Sequence, residues 1–270
     1  MPSVLSTERE VVLRLSQQGP ALVALSGGVD SAVVAALARE ALGSAAVAVT
    51  LTGVAVSADE VERARAVSRK IGIEHHELVA DPLELEEYRA NPVDRCYHCR
   101  TVETAALRAW GVPRGIVQYL DGVQLDDLAD DRPGLRAMEE ARFQHPLLWG
   151  GWRKPTVREI ARRRGLPNWD QPSGACLASR VAHGDPITAE LLHRIEAAES
   201  VVAARGFRRV RVRVHQGAAR IEVDPEEVDR LLSEPLASEV GRQLRAIGFG
   251  SVAIDPRGYV APEQRLRTVR

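Results

Sequence analysis

The chain has 270 residues, 45% of them apolar and 27% charged, a globular composition that excludes disordered and fibrous classes. Thirty-six Lys plus Arg against 37 Asp plus Glu give a formal charge of -1, which argues against a broad nucleic-acid surface but leaves room for a local basic pocket. Three cysteines without secreted-disulfide spacing point to a reducing, cytoplasmic compartment, and no apolar run approaches the roughly 18 residues that span a bilayer.

In chain order, Ala21–Leu25 is a short apolar strand that stops at Ser26-Gly27-Gly28. A helix follows over Val29–Leu42, then a strand over Ala45–Leu51, a charged amphipathic helix over Ala58–Ile71 and a strand leading to Val79. Cys96 and Cys99 lie just before a helix running to Trp110, and Gly115–Leu120 reads as another strand. Continuous apolar strands separated by helices predict a parallel sheet covered on both faces. The acidic, turn-rich segment Asp121–Pro133 follows a strand, where open parallel sheets carry ligand loops. Pro155 sits in the first turn of a helix to Arg164. After about Arg180 the pattern changes. Thr188 precedes a helix through Ala204, and Val210/Val212/Val214 and Ala219/Ile221/Val223 mark two half-buried strands turning at Gln216-Gly217. Two short helices and a strand over Gly250–Ile254 complete a small α+β domain.

Ser26-Gly27-Gly28-Val29-Asp30-Ser31 joins a strand to a helix, a place where glycines admit a phosphate, helix amides face it and serine hydroxyls donate. Asp30 suits Mg²⁺ placement or a helix N-terminal acid. A plain tight turn is the alternative. The Gly-Lys-Ser/Thr ending of kinase-type P-loops and the three-glycine dinucleotide pattern are both missing.

The hexapeptide resembles the signature of the PP-loop ATP pyrophosphatases. That resemblance implies an α/β fold of the adenine-nucleotide alpha-hydrolase-like (PP-loop) kind, a parallel sheet flanked by helices, here with a small C-terminal α+β domain. It further implies attack of an acceptor oxygen on the ATP α-phosphate, with Ser26, Gly27, Gly28, Asp30 and Ser31 holding the leaving pyrophosphate. Residues 1–170 are then expected to form the ATP domain and 171–270 a substrate-binding and oligomerisation domain.

The thiols leave more than one chemistry open. Cys96-Tyr97-His98-Cys99 and the distant Cys176 suit a three-cysteine cluster or zinc site, a reactive sulfur, or separate packing roles. Arg180 beside Cys176 would favour a thiolate. The stretches Asn91–Cys99, Pro172–Arg180, Ala219–Val223 and Asp126-Asp127 through Asp130 to Arg132-Pro133-Gly134 resemble motifs of the LarE-type ATP-dependent sulfur transferases, over about Leu15 to Gly258. In that family a carboxylate of pyridinium-biscarboxylic acid mononucleotide is adenylated and becomes a thiocarboxylate during nickel-pincer cofactor biosynthesis. The resemblance implies ATP, Mg²⁺ and, for the three-cysteine form, a [4Fe–4S] cluster on Cys96, Cys99 and Cys176 with one iron open to carry sulfide. Sacrifice of Cys176 to dehydroalanine is the other family route, and a zinc site completed by His98 is a third reading.

Arg211 and Arg213, two apart on a strand, share a face that would grip the mononucleotide phosphate, against the plain alternative of an exposed face in an arginine-biased chain. Asp126 and Asp127 would order Mg²⁺ or the adenylate, or form a solvated turn, and Glu199 resembles a family acid near substrate and metal. Only Lys70 and Lys154 are lysines, and Lys154 lies in a stretch resembling a lysine-containing family motif that would neutralise ATP phosphate. Gln124, Gln171 and the stretch after Asp255 depart from the family pattern. The expected partners are a small mononucleotide, a sulfur donor and a nickel-insertion protein, with a homo-oligomer, no membrane and no nucleic acid. A tRNA-thiolating enzyme of the same superfamily and a non-catalytic nucleotide- or metal-binding module remain as alternatives.

Overall fold

The computed structural model describes residues 7–128, 133–172 and 174–260. They fall into two compact units, one drawn from the chain up to Tyr88 and from Pro92 to Gly174, the other from Arg89–Asn91 and the chain from Ala175 onward.

The first stretch runs α1 (Glu8–Ser16), β1 (Ala21–Ala24), α2 (Val29–Leu42), β2 (Ala46–Thr52), α3 (Ala58–Ile71) and β3 (Glu74–Val79). It continues through α4 (Glu86–Arg89), α5 (Arg95–Gly111), β4 (Gln118–Leu120), α6 (Pro133–Glu140), α7 (Pro146–Trp149) and α8 (Lys154–Arg163). The four strands form one parallel sheet in the order β3-β2-β1-β4. The chain thus builds outward from β1 to β3 and then returns to the other side of β1. That reversal leaves a crevice beyond the carboxyl ends of β1 and β4, where open parallel sheets bind ligands.

Local chemistry explains the elements. Reciprocal capping boxes start α1 at Thr7/Glu10 and α3 at Ser57/Glu60. Helix α2 carries apolar or small residues almost all round, and Val29 and Ala32 through Ala38 are buried between the sheet and neighbouring helices. The polar strand β3 lies at the sheet edge, consistent with its EHHELV sequence. Strand β4 is shorter than the apolar run Gly115–Leu120 predicts. A 3-10 turn over Val112–Arg114 and a left-handed Gly115 occupy the approach to it, so pairing begins only at Gln118.

The second unit contains α9 (Ala189–Ala203), β5 (Val210–His215), β6 (Ala218–Val223), α10 (Val228–Leu232), α11 (Leu236–Ile247) and β7 (Ser251–Ile254). Strands β5 and β6 are antiparallel and β7 joins β6 in parallel. The predicted turn is present: Gln216 at φ 47° and Gly217 at φ 79° place both central residues in the left-handed region that a tight right-twisted hairpin requires. Val210, Val212, Val214, Ala219, Ile221 and Val223 face this unit's core with Leu192, Ile195 and Leu244.

Because Leu37 is fully buried in α2, Leu37→Ala should cost about 2–5 kcal/mol, read as the shift of the denaturant midpoint at unchanged slope. A loss under about 1 kcal/mol would mean that α2 is not the centre of its core.

Candidate active site

The turn between β1 and α2 is wound on itself. Ser31 Oγ lies 3.1 Å from Ser26 Oγ, accepts the Ser26 amide at 3.2 Å and donates to the Gly28 carbonyl at 3.1 Å. Gly28 caps α2 without a side chain, so the helix's positive end is left to an incoming anion. Gly27, at φ 78°, is the one position with no freedom. A Cβ there would fall 2.4 Å from the Glu60 carbonyl oxygen of α3, so only glycine brings the two elements this close. Asn168, 2% exposed, donates its side-chain amide to the Gly27 carbonyl at 2.8 Å. No motif marked Asn168 in the sequence.

The predicted phosphate residues meet here. Lys154, at the start of α8, places Nζ 2.5 Å from Asp30 Oδ2. Asp30 Oδ1 is buried and has no hydrogen-bond partner among the described residues. Burial raises the Asp30 pKa above the usual carboxylate value, Lys154 and the more distant Arg158 oppose this, and Asp127 adds to it. A buried acceptor atom on a reluctant anion is a site that a cation completes, which fits Mg²⁺.

The acidic loop after β4 closes the crevice. Asp126 accepts the Lys154 amide at 2.9 Å and the Arg153 guanidinium at 2.5 Å; the Lys154 amide, then Arg153, hold its pKa below the usual range. Asp127 accepts the Gln124 amide at 3.0 Å, while the Gln124 side chain accepts the Asp126 amide at 2.9 Å. Gln124 therefore orders the loop itself. The rest of that motif, from Asp130 to Arg132, lies outside the described residues.

The sequence predicts a helix only after Cys96 and Cys99, but they lie inside α5, which begins at Arg95 because the Tyr97 amide already bonds the Asp94 carbonyl at 2.8 Å. Three residues apart on a helix, the two thiols share a face. The Cys99 thiol donates to Glu103 at 3.3 Å, and Arg100 pairs with the same carboxylate at 2.6 Å. Glu103 and Arg100 were not among the expected site residues; only the helical spacing of Glu103 from Cys99 and of Arg100 from Glu103 marks them.

On the second unit, Arg180 is 5% exposed and grips Glu199 in a two-pronged pair at 2.8 and 2.9 Å. It also donates to the Cys176 carbonyl at 2.9 Å, so its charge addresses the backbone that carries the thiol. Glu199 further accepts the Val212 amide at 2.9 Å. Arg213 bonds Glu222 at 3.0 Å and the Ser179 carbonyl at 2.9 Å. Arg211 lies on the same strand face. Burial lowers its pKa, Arg180 and Arg213 lower it further, and Glu199 opposes them, an environment short of negative charge. Ser173, in the predicted motif before Cys176, lies outside the described residues.

Among the described residues the cysteines form no disulfide, with Cys96 exposed and the others half-buried. Among the described residues no three His, Cys, Asp or Glu side chains are gathered as a metal ligand set, and no helix is long and apolar enough to cross a membrane.

The parallel sheet, its β1–α2 turn and the loop after β4 define an ATP-pyrophosphatase architecture. Comparisons agree: the asparagine synthase family model matches residues 6–116. An uncharacterized protein of Synechocystis sp. is 38% identical, with 88% of this chain and 89% of that protein aligned. The pyridinium-3,5-bisthiocarboxylic acid mononucleotide synthase of Lactiplantibacillus plantarum is 29% identical over 96% of this chain and 94% of its own. A tRNA-specific 2-thiouridylase MnmA of Azorhizobium caulinodans is 33% identical, over 56% of this chain and 48% of its own. The chain belongs to the LarE-type sulfur transferases of the PP-loop superfamily and is an ATP-dependent enzyme of that class.

Lys154→Met should raise the KM for ATP about tenfold or more, since one charge-assisted contact to phosphate is lost. Because Lys154 lowers the Asp30 pKa, the same change should also move the acid limb of AMP release to higher pH. An unmoved limb would separate Lys154 from Asp30 ionisation.

Proposed function

We propose that this enzyme inserts sulfur into a pyridinium-3,5-biscarboxylic acid mononucleotide, with ATP as activator, in the biosynthesis of the nickel-pincer nucleotide. The carrying observation is that the similarity to the named synthase spans 96% of this chain, whereas the thiouridylase match spans 56%. Both units are thus accounted for by the first relative and only part of the chain by the second.

In this reading the substrate carboxylate attacks the α-phosphate of ATP and pyrophosphate leaves toward Ser26, Gly27, Gly28 and Ser31. The α2 amides and Lys154 neutralise the charge that develops on it. Asp30, with Asp126 and Asp127 behind it, holds Mg²⁺. A sulfur nucleophile then attacks the acyl carbon and AMP departs. Arg211 holds the substrate phosphate, with Arg213 beside it on the same strand and Arg180 and Glu199 bracing that wall.

The thiols fit a sulfur-supplying group in part: Cys96 and Cys99 form a two-thiol face on α5, and Cys176 is a third cysteine outside any disulfide. They would be the ligands of a [4Fe–4S] cluster. Such a cluster, when bound by three protein thiolates, supplies an exchangeable sulfide at its remaining iron. Sacrifice of Cys176 is the competing source.

The test is an anaerobic reaction with ATP, Mg²⁺ and the biscarboxylated mononucleotide, followed by mass spectrometry. The expected outcome is replacement of oxygen by sulfur in the nucleotide, iron and acid-labile sulfide in the protein, and intact Cys176 after many turnovers. Dehydroalanine at Cys176 would select the sacrificial route, and thiolation of bulk tRNA in preference to the nucleotide would overturn the substrate assignment.

Arg211→Ala should raise the KM for the mononucleotide about tenfold or more with little change for ATP. Arg213→Ala should in addition lower stability by about 1–3 kcal/mol, because it removes a partner from Glu222, which is 2% exposed. Equal effects on both KM values would sink the phosphate role.

A further inference from the structure

His145 and Asp121 form a buried pair that the adenylation and sulfur steps above do not use. His145 Nδ1 stands 2.7 Å from Asp121 Oδ1, and that oxygen also accepts the Val123 amide at 3.0 Å. Ionised Asp121 has no proton to give, so the hydrogen between them belongs to the imidazole. The backbone is stitched around the pair: the Asp121 amide donates to the Gln144 carbonyl at 3.2 Å, and the Gln144 amide to the Tyr119 carbonyl at 2.8 Å. Asp121 Oδ2 and His145 Nε2 are both buried without a hydrogen-bond partner among the described residues. Such orphaned atoms cost stability, so burying the pair offsets part of what its hydrogen bond contributes.

What the pair does follows from the residue beside it. A Cβ built on Gly122 would lie 2.7 Å from the Ser31 amide nitrogen and 2.9 Å from the Asp30 carbonyl carbon. Gly122 therefore rests directly on the first turn of α2, the part of the molecule that faces pyrophosphate. Any drift of the 121–124 turn moves against that helix start without slack. We propose that His145 is a positioning residue for ATP binding: by donating to Asp121 it fixes the turn at Gly122 against the pyrophosphate loop.

The charge on the pair gives the clamp a pH dependence. Burial works against a charged His145, but the hydrogen bond and charge of Asp121, with Glu139 on α6, outweigh it and hold its pKa above the usual 6.5. Arg100 on α5 is the cation whose field reaches Asp121. For a histidine raised in this way, the stabilisation is complete below the unperturbed pKa and is lost as pH rises through the raised one. The clamp therefore loosens toward alkaline pH.

The inference rests on ATP use alone and not on which acceptor is activated, so it is tested by titrating the full chain with α,β-methylene ATP and Mg²⁺. His145→Ala should weaken binding about tenfold or more. His145→Asn, which puts an amide N–H where Nδ1 stood, should stay within about threefold of the parent. Parent-like binding by H145A, or H145N as weak as H145A, would overturn the proposal. Asp121→Asn retains an acceptor for both N–H groups and removes the charge. It should flatten the loss of affinity between about pH 6 and about pH 9 relative to the parent. An unchanged slope overturns the proposal even if H145A does not fold.

Discussion

The close approach of Gly27 to α3 is the constraint on which the ATP site depends. At φ 78°, with the Glu60 carbonyl where a Cβ would stand, this residue lets the turn between β1 and α2 pack directly on α3. The helix then starts with its amides toward the crevice. Ser26, Ser31 and Asn168 hold the turn in that shape through hydrogen bonds. A site preorganised in this way loses little ordering entropy when ATP arrives. The same crowding recurs on the other side of the helix start, where Gly122 leaves no space above Asp30 and Ser31.

Charge is distributed differently in the two units. In the first, acids and bases alternate: Lys154 lies between Asp30 and Asp126, Arg153 donates to Asp126 and the Gln124 amide to Asp127. Such a lattice leaves Asp30 Oδ1 unpaired among the described residues and can exchange one partner for a phosphate or a cation. In the second, Arg180 and Arg213 stand close enough to Arg211 to help lower its pKa, with Glu199 paired to Arg180 and Glu222 to Arg213. An excess of buried positive charge is the physical signature of an anion site.

Much of this was legible in the residues. The glycine turn, the strand–helix alternation and the Gln216-Gly217 hairpin follow from periodicity and turn chemistry, since each depends on neighbours in the chain. Asn168, His145 and Glu103 escaped. Asn168 meets Gly27 across 141 positions and His145 meets Asp121 across 24, so no local pattern could mark them. Glu103 lay one turn from Cys99, yet its importance depended on α5 starting at Arg95 rather than after the cysteines. The strand before Gln118 was overestimated for a related reason: Gly115 breaks the extended backbone although Ile116 and Val117 are good strand formers.

The scarcity of lysine gains a physical meaning at Lys154. An arginine would bring a planar, forked donor set suited to a carboxylate or phosphate held from two sides. The Asp30 carboxylate presents one oxygen to Lys154 and keeps the other buried, and Asp126 is already engaged through the Lys154 backbone. A compact ammonium meets the single exposed oxygen and can turn toward a phosphate by rotating its own stem, with the backbone anchored to Asp126 throughout. A guanidinium of the same reach would have to displace the acid loop to use its second edge. Among the described residues no carboxylate is paired with Lys70; its Nζ would lie 3.7 Å from a Cβ placed on Gly165, at the end of a surface helix. Of the two lysines, only the one held between carboxylates at the helix start is placed where the difference between an ammonium and a guanidinium changes the chemistry.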